Sequence, residues 1–198
     1  MPLQAGHFFK QMRRGWKVRT APRGTLPPGS RFLAMEMRVS LFLWAVLTAT
    51  VAALSLGPSF AHVLESAPRL TQWSPELWRE TTVFNSQFRL FAAVGAPLDM
   101  LAIAFPAVLA LILHNNRLAF RCAIAAAFLY AIALAAWFVL VAPANGVLST
   151  WTPGPIAANF EAIRLRWEVG HMVVAALKLA GFIALACALL SIRRSPRG

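Results

Sequence analysis

Two short motifs in this chain each pair an imidazole with a carboxylate. They are His62-Val-Leu-Glu65 and, in mirrored order, Glu168-Val-Gly-His171. Residues three apart in a helix lie on one face, so each motif presents both groups to the same side. A histidine can take up a proton near neutral pH, and a neighbouring carboxylate can orient the ring and stabilise its cation. We therefore predict that His62, Glu65, Glu168 and His171 are catalytic, with a histidine as the general base.

The composition places these motifs in a membrane protein. Of the 198 residues, 59% are hydrophobic and 13% are charged, and the mean hydropathy is +0.62, whereas a soluble domain has about 25% charged residues. A helix needs about 20 apolar residues to cross a bilayer. Four stretches reach that length: residues 39–63, 90–113, 122–141 and 169–192. The sequence therefore predicts an all-α fold, an integral membrane four-helix bundle embedded in the lipid bilayer.

The positive charge lies mostly outside these stretches. The net charge is +12, and eight of the 19 lysines and arginines precede residue 39. This placement favours anionic lipid headgroups over nucleic acid as the partner. Residues 1–37 are basic and lack apolar periodicity, which predicts a disordered tail before a membrane domain at residues 38–198. The alternative is that the protein begins at Met35 or Met37.

Basic residues also predict the orientation of the helices. Arg117 and Arg121 lie in the link between the second and third stretches, and three arginines follow the fourth. Because cytoplasmic loops carry the excess of basic residues, we expect both termini in the cytoplasm and a location in the bacterial inner membrane. The two longer connections, residues 65–89 and 142–166, then face outward.

Further polar residues fall at membrane depth. Asp99 lies near the middle of the second stretch and Lys178 near the middle of the fourth. An unpaired charge there costs a few kcal/mol or more, so we expect the two to meet, either in a functional site or as a structural ion pair. We expect them to line one cavity, open to the outer side, together with the two motifs. The residues predicted to bind substrate are Asp99, Asn145, Arg166, Trp167 and Lys178. The alternative for His62 and Glu65 is a position among lipid headgroups.

Small residues predict where helices approach closely. Alanine recurs every fourth residue in the third and fourth stretches, at Ala123, Ala127, Ala131, Ala135, Ala176, Ala180, Ala184 and Ala188. Such stripes let helix backbones pack tightly in lipid. The two cysteines, by contrast, form no Cys-x-x-Cys motif, which argues against a thiol–disulfide oxidoreductase.

Several of these residues together resemble a known family. The run Arg164-Leu-Arg-Trp-Glu-Val-Gly-His171, with His62-Val-Leu-Glu65, Asn145 and Trp151, is similar to the anthrone oxygenase-like group of small four-helix membrane proteins. The resemblance covers roughly residues 38–192, and Arg-x-Arg-Trp-Glu-x-x-His is its most specific element. It implies a four-helix membrane fold. From the fungal polyketide-pathway members, it also implies oxygenation of an anthrone without an obvious metal cofactor, whereas most of the group have no assigned function.

Two classes of function remain open. In the first, the protein is an enzyme that oxidises a small, flat, apolar aromatic molecule without a cofactor, with His62 or His171 as base. In the second, it is a non-catalytic membrane subunit or small-molecule binder whose polar groups specify packing. A less favoured alternative is haem or metal binding, because Glu-x-x-His pairs on facing helices are a di-iron motif and two histidines can hold one haem. The di-iron motif needs two further carboxylates, and only Asp99 is near.

Overall fold

The structure, a computed structural model, describes residues 28–85 and 87–192, which are helical almost throughout. This part of the chain contains α1 (Pro28–Thr71), α2 (Pro75–Arg79), α3 (Gln87–Ile112), α4 (Arg117–Ala136), α5 (Ala142–Leu148) and α6 (Phe160–Ile192). Two π-helical turns, at Glu80–Phe84 and Trp137–Val141, follow α2 and α4. No strand occurs within the described ranges.

Four segments of the described chain are long and apolar enough to cross a bilayer. They are Met35–Thr71, Ala93–Ile112, Arg117–Leu148 and Phe160–Ile192. The protein is a multi-pass membrane protein, and the predicted all-α membrane bundle is confirmed. Four crossings return the chain to the side on which it started. The assignment of that side to the cytoplasm stays a prediction from the arginine distribution.

The first and last spans are longer than predicted. α1 continues to Thr71, past the predicted end at residue 63, and α6 begins at Phe160 rather than near residue 169. Arg69 and Arg164 lie in these extensions, and each pairs with a glutamate one turn earlier in its own helix. Such pairs support a helix beyond its apolar stretch. Both histidine motifs therefore lie inside helices rather than at their ends.

The predicted tail is helical in part. α1 begins at Pro28, so residues 28–37, which the sequence assigns to the tail, belong to that helix. The remaining tail, residues 1–27, lies outside the described residues, as do residues 193–198. The two connections predicted to face outward are also partly helical, because they contain α2, the first π-helical turn and α5.

Glycine carries much of the close packing of α6. A Cβ atom added at Gly181 would lie 2.9 Å from Cδ2 of the Tyr130 ring on α4. The alanine stripe predicted for α6 is only partly right, because Ala176 and Ala180 are exposed whereas Ala188 is buried. Lys178 must point inward because its charge needs a buried partner. The residues on the same face of α6 as Lys178 therefore also point inward.

We expect Gly181→Ala to destabilise the protein. Alanine favours a helix by up to about 1 kcal/mol over glycine, but overpacking a core costs about 1–3 kcal/mol. The Tyr130 ring cannot easily move away, because it is buried and its hydroxyl donates to the carbonyl oxygen of Ala52 at 3.0 Å. The matched control is Gly57→Ala, where the new methyl would have nothing within 4 Å. Thermal unfolding in detergent should show a lower midpoint for Gly181→Ala alone, and equal midpoints would contradict this packing.

Candidate functional site

α1 and α6 run antiparallel and meet at two levels. At the histidine level, the rings of His62 and His171 stack with centroids 4.3 Å apart and planes inclined by 27°. At the lysine level, Nζ of Lys178 donates to the carbonyl oxygen of Ser55 at 3.2 Å. Seven residues, about two helical turns, separate the levels in both helices. The two helices therefore keep one register across both contacts.

The lysine level holds a buried ion pair. Nζ of Lys178 lies 2.6 Å from Oδ1 of Asp99 on α3, and Oγ of Ser55 donates to the same oxygen at 2.6 Å. The Lys178 and Asp99 side chains are 6% and 14% exposed. Because a charge at membrane depth is costly unless it is paired, this cluster ties α1, α3 and α6 together.

A cavity of about 280 Å³ reaches both levels. Its walls come from α1, α3, α4, α5, α6 and both π-helical turns, and they are largely apolar. Most of the residues predicted from the sequence line it: His62, Glu65, Asp99, Asn145, Trp167, His171 and Lys178. The other two, Arg166 and Glu168, do not.

The carboxylates of the two mirrored motifs meet at one arginine. Nη2 of Arg69 lies 3.1 Å from Oε2 of Glu65, and Nη1 lies 3.8 Å from Oε1 of Glu168. Nη1 also donates to Oγ1 of Thr82 at 3.0 Å. Arg69 is buried, and a buried cation needs both counter-charge and hydrogen bonds. Arg69 is not among the site residues predicted from the sequence, although its position four residues after Glu65 is the spacing of a helical ion pair.

Glu168 occupies a closed position beside the cavity. It is 0% exposed, and its Oε1 accepts a hydrogen bond from Nε1 of Trp78 at 2.8 Å. Its Oε2 has no hydrogen-bond partner among the described residues. Within them, Glu168 makes no hydrogen bond to His171, so the expectation that this carboxylate orients the ring is not met. The contacts with Trp78 and Arg69 hold the carboxylate elsewhere.

An indole ring contacts both imidazoles instead. The Trp167 ring lies 5.2 Å from the His62 ring and 4.3 Å from the His171 ring, centroid to centroid. Nε1 of Trp167 donates to Oδ1 of Asn145 at 2.9 Å, and Trp78 packs perpendicular to Trp167 at 5.6 Å. Asn145 therefore fixes the indole that holds the histidine pair.

Arg166 lies outside the cavity and contacts the back of its wall. Its side chain is exposed, its Nη2 donates to the carbonyl oxygen of Val139 at 3.0 Å, and its Nε donates to that of Leu140 at 3.2 Å. Both carbonyls belong to the π-helical turn Trp137–Val141. A π-helical turn replaces the regular i→i+4 bonds locally and often occurs at functional sites.

This turn is held against α6 by a glycine as well. A Cβ atom at Gly170 would lie 2.9 Å from Cγ2 of Val141, so only glycine allows the observed approach. Trp137 and Phe138 of the same turn line the cavity. Arg166 is therefore placed to position the cavity wall rather than to touch a ligand. The π-helical turn was not predicted from the sequence.

The histidine pair does not have the arrangement of haem ligands. Two histidines that held one haem would each have to direct a ring nitrogen at its iron, whereas His62 and His171 lie ring against ring. Within residues 28–85 and 87–192, no group of three or more His, Cys, Asp or Glu side chains is placed to hold a metal ion. The carboxylates that a di-iron site would need are bound to Arg69. The residues present therefore do not fit the haem or di-iron alternatives.

Comparison of the chain with protein-family models, with curated proteins and with solved structures finds no significant match in any of the three.

Proposed function

We propose that the protein binds a small, flat, hydroxyl-bearing aromatic molecule in this cavity and takes an acidic proton from it. The observation that carries the proposal is the cavity itself, with the histidine level and the lysine level set in largely apolar walls. Ligand sites typically combine apolar walls with a few polar groups that fix orientation. A volume of about 280 Å³ lies just below the usual range of about 300–1,000 Å³ for such sites, which favours a small ligand.

The lysine level favours a hydroxyl group on the ligand. An ammonium group has three N–H donors, and Lys178 uses two of them for Asp99 Oδ1 and Ser55 O. The hydrogen bonds to Asp99 from described residues both go to Oδ1, which leaves Oδ2 as an acceptor. A hydroxyl both donates and accepts, so it satisfies Oδ2 and the third N–H together. An ether or a carbonyl leaves Oδ2 without a donor.

At the histidine level, His171 is the proposed base. Its ring lines the cavity, and its contacts with described residues are ring contacts to His62 and Trp167. A proton from an acidic C–H or phenolic O–H moves to a ring nitrogen, and the electron pair stays on the ligand as a delocalised anion. The indole of Trp167 lies within cation–π range of the imidazolium that forms.

Oxidation of that anion requires an electron acceptor, and we take this to be dioxygen. In the overall reaction, a ring CH₂ becomes C=O while one oxygen atom of O₂ enters the carbonyl and the other leaves as water. This chemistry agrees with what the resemblance to the anthrone oxygenase-like group implies, and the run from Arg164 to His171 supports it. The bacterial inner membrane, with the histidine level toward the outer side, is proposed as the location from the arginine distribution.

Binding measurements on the protein in lipid nanodiscs test the proposal. The probes are 2-naphthol, 2-methoxynaphthalene and naphthalene, titrated calorimetrically against loaded and empty nanodiscs. We expect 2-naphthol to bind at least about tenfold more tightly than its methyl ether, because an unsatisfied buried acceptor costs about 1–3 kcal/mol. Asp99→Asn should reduce this preference.

Two outcomes would change the conclusion. The absence of saturable binding by all three probes would overturn the proposed function. Saturable binding with no proton transfer would instead favour the second class of function, a non-catalytic binder or membrane subunit.

A further inference from the structure

Four apolar residues line the cavity and are also exposed at the surface of the membrane domain. Leu54 is 53% exposed and Phe138 is 61% exposed, and Ala61 and Ala96 are exposed as well. They belong to α1, the second π-helical turn and α3. The cavity therefore reaches the surface where these elements border it, and we call these four residues the portal.

The portal reaches the depth of the hydrocarbon core. Leu54 lies at the middle of the span Met35–Thr71. The next residue, Ser55, accepts a hydrogen bond from Lys178, which lies close to the middle of the span Phe160–Ile192. The hydrocarbon core is about 30 Å thick, so an exposed side chain at the midpoint of two spans contacts acyl chains rather than water.

The end of the cavity nearest the connections is bounded by a polar cluster. Arg69 is 6% exposed and bonds Glu65 and Thr82 at 3.1 and 3.0 Å. Its guanidinium also lies 5.7 Å from the centre of the Trp167 ring, which is itself bonded to Asn145. Glu65 also lines the cavity and its side chain is 54% exposed, so a molecule arriving from water on this side would meet the charged groups of this cluster first. No such polar contact spans the portal residues, which have apolar side chains.

We propose that the cavity opens sideways through the portal into the bilayer, and that it exchanges its contents with molecules dissolved in the hydrocarbon core rather than in water. The partner that fits this opening is an uncharged, apolar, bilayer-soluble molecule. The inference goes beyond the proposed function, because it concerns the route into the cavity and holds whatever chemistry occurs there.

Cysteine modification in nanodiscs tests the route without a known ligand. Ser59 lines the cavity and is 7% exposed, so Ser59→Cys reports on the interior once Cys122 and Cys187 are replaced by alanine. The two reagents are benzyl methanethiosulfonate, which is apolar, and sulfonatoethyl methanethiosulfonate, which is charged. Both form a disulfide with the thiolate and release methanesulfinate, and they differ in the charge of the group that they transfer.

We expect the benzyl reagent to modify Ser59→Cys at least about tenfold faster than the charged reagent, because a charge is excluded from hydrocarbon by a few kcal/mol. Thr150→Cys, at an exposed position in a connection, should react with both. Equal reaction of the charged reagent with Ser59→Cys and Thr150→Cys would overturn the proposal in favour of a water-filled route. Failure of the benzyl reagent to modify Ser59→Cys would overturn it as well.

A second variant identifies the portal itself. Leu54→Trp should slow the benzyl reaction at Ser59→Cys several-fold, because the larger side chain narrows the opening. The matched control is Phe128→Trp, since Phe128 is 65% exposed but does not line the cavity. Equal rates in the two tryptophan variants would contradict entry at Leu54.

Discussion

Replacing either Asp99 or Lys178 by alanine is expected to lower the free energy of unfolding by about 3–5 kcal/mol, because the remaining charge is then buried without a partner. The double variant Asp99→Leu, Lys178→Met replaces the pair with apolar side chains of similar size and should recover much of that loss. Titration of the purified protein in mixed micelles with sodium dodecyl sulfate, followed by circular dichroism, measures all three variants.

A second ion pair of the same protein provides the control. Nη2 of Arg164 lies 2.7 Å from Oε2 of Glu161, but the Glu161 side chain is 67% exposed. Arg164 also keeps two backbone carbonyl acceptors when that carboxylate is removed. Glu161→Ala should therefore cost less than either change at the lysine level. If the losses from Asp99 and Lys178 simply add in the double variant, the two side chains are not coupled.

The second large effect is expected at the histidine level. His171→Ala and His171→Asn should slow proton abstraction by about 10²–10⁴-fold, the usual contribution of a general base. The readout is the loss of deuterium from the labelled CH₂ group of anthrone into water, measured by mass spectrometry without dioxygen. This measurement isolates the proton transfer from any later oxidation. The asparagine variant keeps a polar side chain, which limits effects on folding.

The matched control for this experiment is a histidine outside the cavity. His114 is exposed in the link between α3 and α4, where its Nδ1 lies 2.9 Å from the carbonyl oxygen of Leu111. It does not line the cavity. His114→Ala should therefore exchange deuterium at the rate of the unchanged protein. Deuterium exchange by the His171 variants at that same rate would rule out His171 as the base.

The helices and the ion pair could be predicted because each follows from a strong local signal. Four apolar stretches specify four spans whatever their neighbours are. Asp99 and Lys178 could be paired from the cost of an isolated charge in lipid, without knowledge of the helix contacts. In the structure, Nζ of Lys178 lies 2.6 Å from Oδ1 of Asp99.

The roles of Trp78 and Arg166, beside the cavity, could not be predicted, because they depend on contacts between distant parts of the chain. Trp78 lies in a short helix between spans, yet it bonds Glu168, 90 residues later. No periodic pattern predicts such a contact. Arg166 was predicted to bind substrate, but it reaches the carbonyls of a π-helical turn whose position local sequence does not reveal.

The shared register of α1 and α6 also limits how the length of the chain can change. Each added or deleted residue rotates the rest of a helix by about 100°. After one insertion between Ser55 and His62, α1 could therefore no longer make the histidine contact and the lysine contact at the same time. A matching insertion in α6 would be needed to restore both contacts. The two contacts thus fix the lengths of the segments from Ser55 to His62 and from His171 to Lys178. In distant relatives, these two intervals should tolerate exchange of residues but not gaps, which offers a search pattern that does not depend on overall identity.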